Sequence, residues 1–329
     1  MNCREPAIPS ADRLEWVAPN AGITNSLREQ LLGVMHPLCG ESYAAIAMNE
    51  TKHIVDIPNG GQIALHRLCP DQPTGLPLIV AHGTISNAKT VRTMATFLAE
   101  HGFDCWMLEW GGHGDSQAGS PRQNNEYPAF NDVPTAVSHV LAATKHEKLF
   151  WVSHSGGGHL PMMFLSRDPN RQSEFAGLVT LGTQSTQAAL SLKGKFGCAV
   201  LIGITTLLNR TPKRILPLGN EHEPTRLLAQ WAVWNIRQRW LGKDGFDYME
   251  ALSGMSIPTM IIAGGKDRAA PVNGCREIYE AFGSGDNTWC LCDTESGFSK
   301  DFGHGELIRG LAARDELFPK IVDWLRERV

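Results

Sequence analysis

The sequence predicts an α/β fold, a mainly parallel, doubly wound sheet with helices on both faces and a helical insertion late in the chain. Three observations predict it. Short runs that are apolar at nearly every position, residues 76–81, 149–152 and 259–263, read as strands buried on both faces. Helical patterns separate such runs, which is the rhythm of parallel βαβ units. That rhythm then stops between residues 183 and 257, a stretch too long for a structureless loop inside a compact domain.

Residues 1–48 precede the first strand signal and are expected to form an N-terminal extension, helical around residues 26–35. Residues 52–57 and 62–68 alternate apolar and polar around Asn59-Gly60-Gly61, the pattern of a hairpin that adds antiparallel strands at one edge. Residues 76–81 form a buried strand, residues 88–101 a helix closed by Gly102, and residues 103–109 the next strand. Strands at 149–152, 177–181, 259–263 and 288–292 complete the sheet. The expected core is therefore residues 49–182 and 258–329. Residues 183–257 form a helical lid or cap, with an irregular loop near 212–224.

Composition narrows the function classes. At 42% hydrophobic and 19% charged residues, the chain can bury a substantial core. A net charge of −4 gives no reason to expect nucleic acid or an anionic membrane as partner. Residues 1–22 carry no apolar signal core, so secretion is not indicated. The longest apolar stretch, residues 196–208, is shorter than the ~20 residues a bilayer span requires. The eight cysteines are scattered and lack zinc-site spacing, so no metal or cofactor is expected. Cys290 and Cys292 would share a strand face with Cα atoms roughly 7 Å apart, too far for an easy disulfide. The cysteines read as thiols in a reducing compartment, and the expected location is the cytoplasm.

The chemistry is concentrated at Ser153-His154-Ser155-Gly156-Gly157, between the strand at 149–152 and the start of a helix. Small-x-Ser-x-Gly at that junction is a nucleophile elbow. The turn is so tight that its flanking positions carry small side chains, and the Ser155 hydroxyl projects beside a helix N-terminus that favours developing negative charge. Serine needs a base within reach and an orienter behind the base. Asp267 follows the strand at 259–263, and His304 lies in the later loop Asp301-Phe302-Gly303-His304-Gly305-Glu306, flanked by glycines that let the imidazole approach. Asp286, Asp293 and Asp301 are the rival acids.

The order Ser155, Asp267, His304, with a strand running into His82-Gly83-Thr84, resembles the α/β-hydrolases from about residue 51 to the C-terminus. The resemblance implies the α/β-hydrolase type of sheet and a serine hydrolase of esterase or lipase kind, with Ser155, Asp267 and His304 as its catalytic residues. Its oxyanion hole would be the amides of Thr84 and Gly156. It implies that His82 orients its loop without transferring protons. Residues 109–116 resemble a family loop that usually carries Arg-Gly-x-Gly-x-Ser, with Gly111 at the arginine position, and His113 there reads as structural.

The expected substrate is a small-molecule carboxylic ester or thioester with an apolar acyl group. The acyl pocket would be lined by residues 196–208 and by Trp231 and Trp234, three apart on one helix face. An acyltransferase using the same acyl-enzyme, and a non-catalytic ligand-binding protein of the same fold, are the alternatives.

Overall fold

The computed structural model describes residues 48–58, 60–118, 123–207 and 224–329. The expected extension up to residue 47, and most of the irregular loop near 212–224, lie outside them.

Among the described residues, eight strands form one sheet, β1 (Met48–Asp56), β2 (Gln62–Pro70), β3 (Leu78–Ala81), β4 (Cys105–Glu109), β5 (Leu149–His154), β6 (Phe175–Leu181), β7 (Thr259–Gly264) and β8 (Asn287–Cys292). Their order is β1-β2-β4-β3-β5-β6-β7-β8. β1 and β2 pair antiparallel, as do β2 and β4; every later pairing is parallel. The hairpin thus closes one edge and β8 forms the other.

The parallel strands are apolar throughout because both faces are covered. Along β3, Leu78 and Val80 enter one core while Ile79 and Ala81 enter the other. β4 and β5 split the same way, with Trp106 and Trp151 on one face and Met107 and Val152 on the opposite face. Helix α1 (Ala88–Glu100) starts at Asn87, whose side chain accepts from the Lys89 amide at 3.0 Å, and its chain turns at Gly102, φ 96°. It shares a face with the C-terminal helix, whereas α2 (Val133–Thr144) and α3 (Gly156–Arg167) cover the other.

The insertion between β6 and β7 holds α4 (Leu192–Leu207) and α5 (Thr225–Arg237), which pack on each other. Two further helices, α6 (Val272–Ala281) and α7 (Phe318–Arg326), complete the set used below. No described helix is long and apolar enough to cross a membrane.

Candidate active site

Four segments leave the carboxyl ends of parallel strands and converge. Thr84 follows β3, Ser155 follows β5, Asp267 follows β7 and His304 lies beyond β8. Loops at this end of a parallel sheet are where open α/β folds bind ligands.

Ser155 has φ 52° and ψ −122°, a conformation that costs a non-glycine residue energy. Its backbone is fixed on both sides. The amide donates to Leu181 O at 2.8 Å, and the carbonyl accepts from Gly158 N at 3.0 Å and from the Thr183 hydroxyl at 2.9 Å. The three glycines after it are there for space. A Cβ on Gly157 would collide with the His82 carbonyl oxygen, and one on Gly158 would collide with the Thr183 hydroxyl. A Cβ on Gly156 would lie 3.2 Å from the Thr84 amide nitrogen and 2.8 Å from Thr84 Cγ2. The Thr84 amide and the start of α3 are thus close neighbours, and the first amides of a helix have no intrahelical acceptor.

His304 opens a short 3₁₀ turn. Its Nδ1 lies 2.7 Å from Asp267 Oδ2, and the Asp267 side chain is fully buried. The other Asp267 oxygen accepts from the amides of Ala269 and Ala270, both at 2.8 Å. Gly182, φ 64°, leaves room for this pair, since a Cβ there would stand 3.1 Å from both Asp267 Oδ2 and His304 Nδ1. The rival acids are engaged elsewhere: Asp286 with Arg328, Asp293 with the Ser296 amide, and Asp301 with Thr294. The acid and histidine loops share an anchor, because the Cys292 carbonyl accepts from both Gly265 N and Phe302 N at 3.0 Å.

Other histidines surround the serine. His82 is buried, takes the Trp110 indole N–H at 2.8 Å and sits 2.7 Å from the Gly83 carbonyl. Burial first, and then the neighbouring His113, hold its proton affinity well below that of free histidine. His154 contacts the His304 carbonyl at 3.0 Å through Nε2; burial, and then His304 itself, keep it neutral in the same way. His159 is bonded to the Gln184 carbonyl at 3.0 Å, and burial lowers its pKa to about 4. Gly111 donates to Asp132 Oδ2 at 2.6 Å, and burial raises that carboxyl to about 6.

Ser155, Gly156, Thr84 and His304 line one cavity of about 580 Å³. Trp231 lines it too. Trp234 does not: its ring packs on Trp240 and His159, and its indole N–H donates to Leu241 O at 2.7 Å. A helix turns 100° per residue, so two tryptophans three apart diverge enough for one to face the cavity and the other the core. The apolar run at 196–208 reaches the cavity through Gly197, Cys198 and Leu201, whereas Phe196 is 72% exposed. Sequence reading missed Arg309, which also lines the cavity.

Among the described residues, one group with metal-ligand chemistry lies apart, on β2, at the end of β4 and in the loop after it: His66, Glu109 and Asp115. Its carboxylates already have partners. Glu109 accepts from the Ala88 and Asp115 amides, and Lys52 reaches Asp115 at 2.9 Å.

This sheet order, the elbow after β5 and the His304–Asp267 contact after the last two strands decide the fold. The chain has the α/β-hydrolase fold. Comparisons agree with that assignment. Residues 72–232 match the family described as serine aminopeptidase, S33. An esterase from Thermogutta terrifontis superposes with a TM-score of 0.59 at 16% identity, over 84% of this chain and 98% of that chain. A monoacylglycerol lipase from Paleococcus ferrophilus gives 0.56 at 17% identity, over 86% and 100%. A hypothetical Pseudomonas aeruginosa protein gives 0.63 at 14% identity, over 90% and 100%. At these identities the likeness is one of fold. A Mycobacterium phage D29 protein whose name includes the words non-heme haloperoxidase is 32% identical over 98 residues, 30% of this chain; the match spans 34% of its length.

Proposed function

We propose that this α/β-hydrolase is a serine hydrolase that cleaves a carboxylic ester or thioester with an apolar acyl group through an acyl-enzyme on Ser155. The observation that carries the reading is that a serine held at φ 52° and a histidine bonded to a buried carboxylate at 2.7 Å open onto one cavity.

In this reading His304 Nε2 takes the Ser155 proton as Oγ attacks the carbonyl carbon. The amides of Gly156 and Thr84 donate to the oxyanion, each on the order of 3 kcal/mol of transition-state stabilisation. His304 then protonates the departing alcohol or thiol. Water, deprotonated by the same histidine, releases the acid and restores Ser155. Asp267 accepts from Nδ1–H throughout, which fixes the tautomer that leaves Nε2 free as base.

The insertion acts as a lid over the acyl chain, with Leu201, Leu228 and Trp231 supplying apolar wall. An aminopeptidase must hold a substrate ammonium group. No carboxylate lines this cavity among the described residues, which favours an ester or thioester over an N-terminal peptide. The free thiols of the described residues suit a reducing compartment, and the reading assigns the enzyme to the cytoplasm.

Labelling with a fluorophosphonate, followed by peptide mass spectrometry, tests the proposal. One adduct is expected on Ser155, and Ser155→Ala should remove both the adduct and ester hydrolysis while the far-UV spectrum is unchanged. Hydrolysis near the wild-type rate in a folded Ser155→Ala protein would reject it.

A further inference from the structure

The catalytic cavity carries one permanent charge that the reaction does not use. Among its described lining residues, Arg309 is the only lysine or arginine, and no aspartate or glutamate is present. Several of the cavity's neutral polar side chains have partners within the protein. Ser86 bonds to Thr90, Asn125 donates to Leu227 O and accompanies Gln230, and His159 holds the Gln184 carbonyl. No carboxylate pairs with Arg309 among the described residues.

The guanidinium is directed by its neighbours. A Cβ on Gly305 would lie 2.8 Å from the nearer Arg309 terminal nitrogen and 3.3 Å from the guanidinium carbon. The side chain therefore folds back over Gly305, the residue next to His304. Glycine at 305 serves this approach as well as the histidine loop. The charge also reaches the centre of the site, since it is among the causes that hold His154 neutral.

We propose that Arg309 makes this cavity selective for substrates whose leaving group bears a negative charge, a carboxylate or a phosphate. The inference rests on the serine-hydrolase reading. Position selects the leaving-group side. Arg309 stands beside the histidine that protonates the departing oxygen or sulfur, whereas the oxyanion amides and Trp231 belong to other loops and to the insertion. In the step concerned, the Ser155 Oγ–carbon bond forms and the carbon–oxygen bond to the leaving group breaks. The Ser155 proton passes through His304 to that oxygen, and the anionic group leaves unchanged on the alcohol. The guanidinium offers a forked set of N–H donors that suits both a carboxylate and a phosphate.

The test compares 4-(butanoyloxy)benzoate and 4-(butanoyloxy)phenyl phosphate with neutral methyl 4-(butanoyloxy)benzoate. The 4-nitrophenyl monoester of succinic acid, with its charge on the acyl side, serves as control. At low ionic strength kcat/KM is expected to favour an anionic leaving group by roughly two- to fivefold, carried by KM, because Arg309 is exposed and one ion pair at an exposed group supplies that order. The preference should shrink with salt. Arg309→Gln should bring the anionic-to-neutral ratio close to one, Arg309→Glu should invert it, and Arg309→Lys should retain part of it. Whichever of the two anionic arms shows the larger ratio names the anion. No preference in the wild type, the same preference for the acyl-side anion, or a ratio untouched by Arg309→Gln would overturn the proposal. Hydrolysis of the neutral ester, lost in Ser155→Ala, tests the serine-hydrolase reading separately. If no ester is turned over, binding of 4-butanamidobenzoate to the Ser155→Ala protein still decides. Calorimetric binding weakened in the Ser155→Ala/Arg309→Gln protein supports the anion site, and absent or unchanged binding rejects it.

Discussion

At Ser155 the energetic cost of a left-handed backbone is held in place by three hydrogen bonds and by glycines that admit no side chain. Gly157→Ala is the most direct probe of that arrangement. Its methyl would meet the backbone carbonyl of His82, which cannot rotate away, so a loss of roughly 1–3 kcal/mol is expected in urea unfolding. Gly197→Ala inside α4, where an added Cβ would meet nothing within 4 Å, should instead stabilise the fold by roughly 0.5–1 kcal/mol in the same assay. Asp267→Asn is expected to reduce kcat on the order of 10⁴-fold by favouring the wrong histidine tautomer. Asp301→Asn should have little effect, and the reverse result in initial-rate assays would move the acid. Much at this scale was legible in the sequence. The elbow is local, and its demand for small residues is written into consecutive positions. The pairing of Asp267 with His304 could be expected only from the order of motifs along the chain, because 37 positions separate the partners. Arg309 was illegible for a physical reason: its return over Gly305 is set by tertiary packing, and no spacing rule encodes it.

Among the elements, the insertion shows where periodicity stops being informative. Both α5 tryptophans lie on the side of the helix that turns toward the protein, yet only Trp231 reaches the cavity. Hydrophobic pattern identifies an inward side and cannot divide that side between a cavity wall and a core. The two residues should therefore behave differently. Trp231→Ala is expected to raise KM for long-chain esters more than for acetates, at roughly 25 cal/mol per Å² of lost apolar contact. Trp234→Ala removes a core ring and an indole hydrogen bond, and should cost about 3–5 kcal/mol of stability with no preference for acyl length. Equal KM effects on short and long esters from Trp231→Ala would mean that the insertion supports the core without selecting the substrate. The sheet itself was easier to read, because residues buried on both faces leave continuous apolar runs. The hairpin was readable from the alternation of its two strands and the Asn-Gly-Gly sequence between them.

For the molecule as a whole, buried titratable groups set the dependence of stability on pH. His159, lowered to about 4, favours the folded state above the ordinary histidine range and withdraws that support as pH falls from about 6.5 to 4. Asp132, raised to about 6, acts in the opposite sense, supporting the fold below about pH 4 and losing that contribution as pH rises through 6. Each is on the order of 3 kcal/mol and their windows nearly coincide, so the two largely offset. The balance falls to His82 and His154, both held neutral by burial. Urea midpoints are therefore expected to be lower at pH 5 than at pH 7.5. Asp132→Asn should steepen that fall, and a midpoint that rises on acidification would contradict the assignment. The shared anchor at Cys292 has a consequence of its own. One carbonyl at the end of the edge strand β8 clasps the backbone that leads to Asp267 and the backbone that leads to His304. Neither loop can come undone by releasing that strand while the other stays in register. In hydrogen exchange the Gly265 and Phe302 amides should open with the same free energy, as a single cooperative unit. A molecule warmed until that unit opens would lose the Asp267–His304 contact in one event, at a temperature where its central strands are still folded.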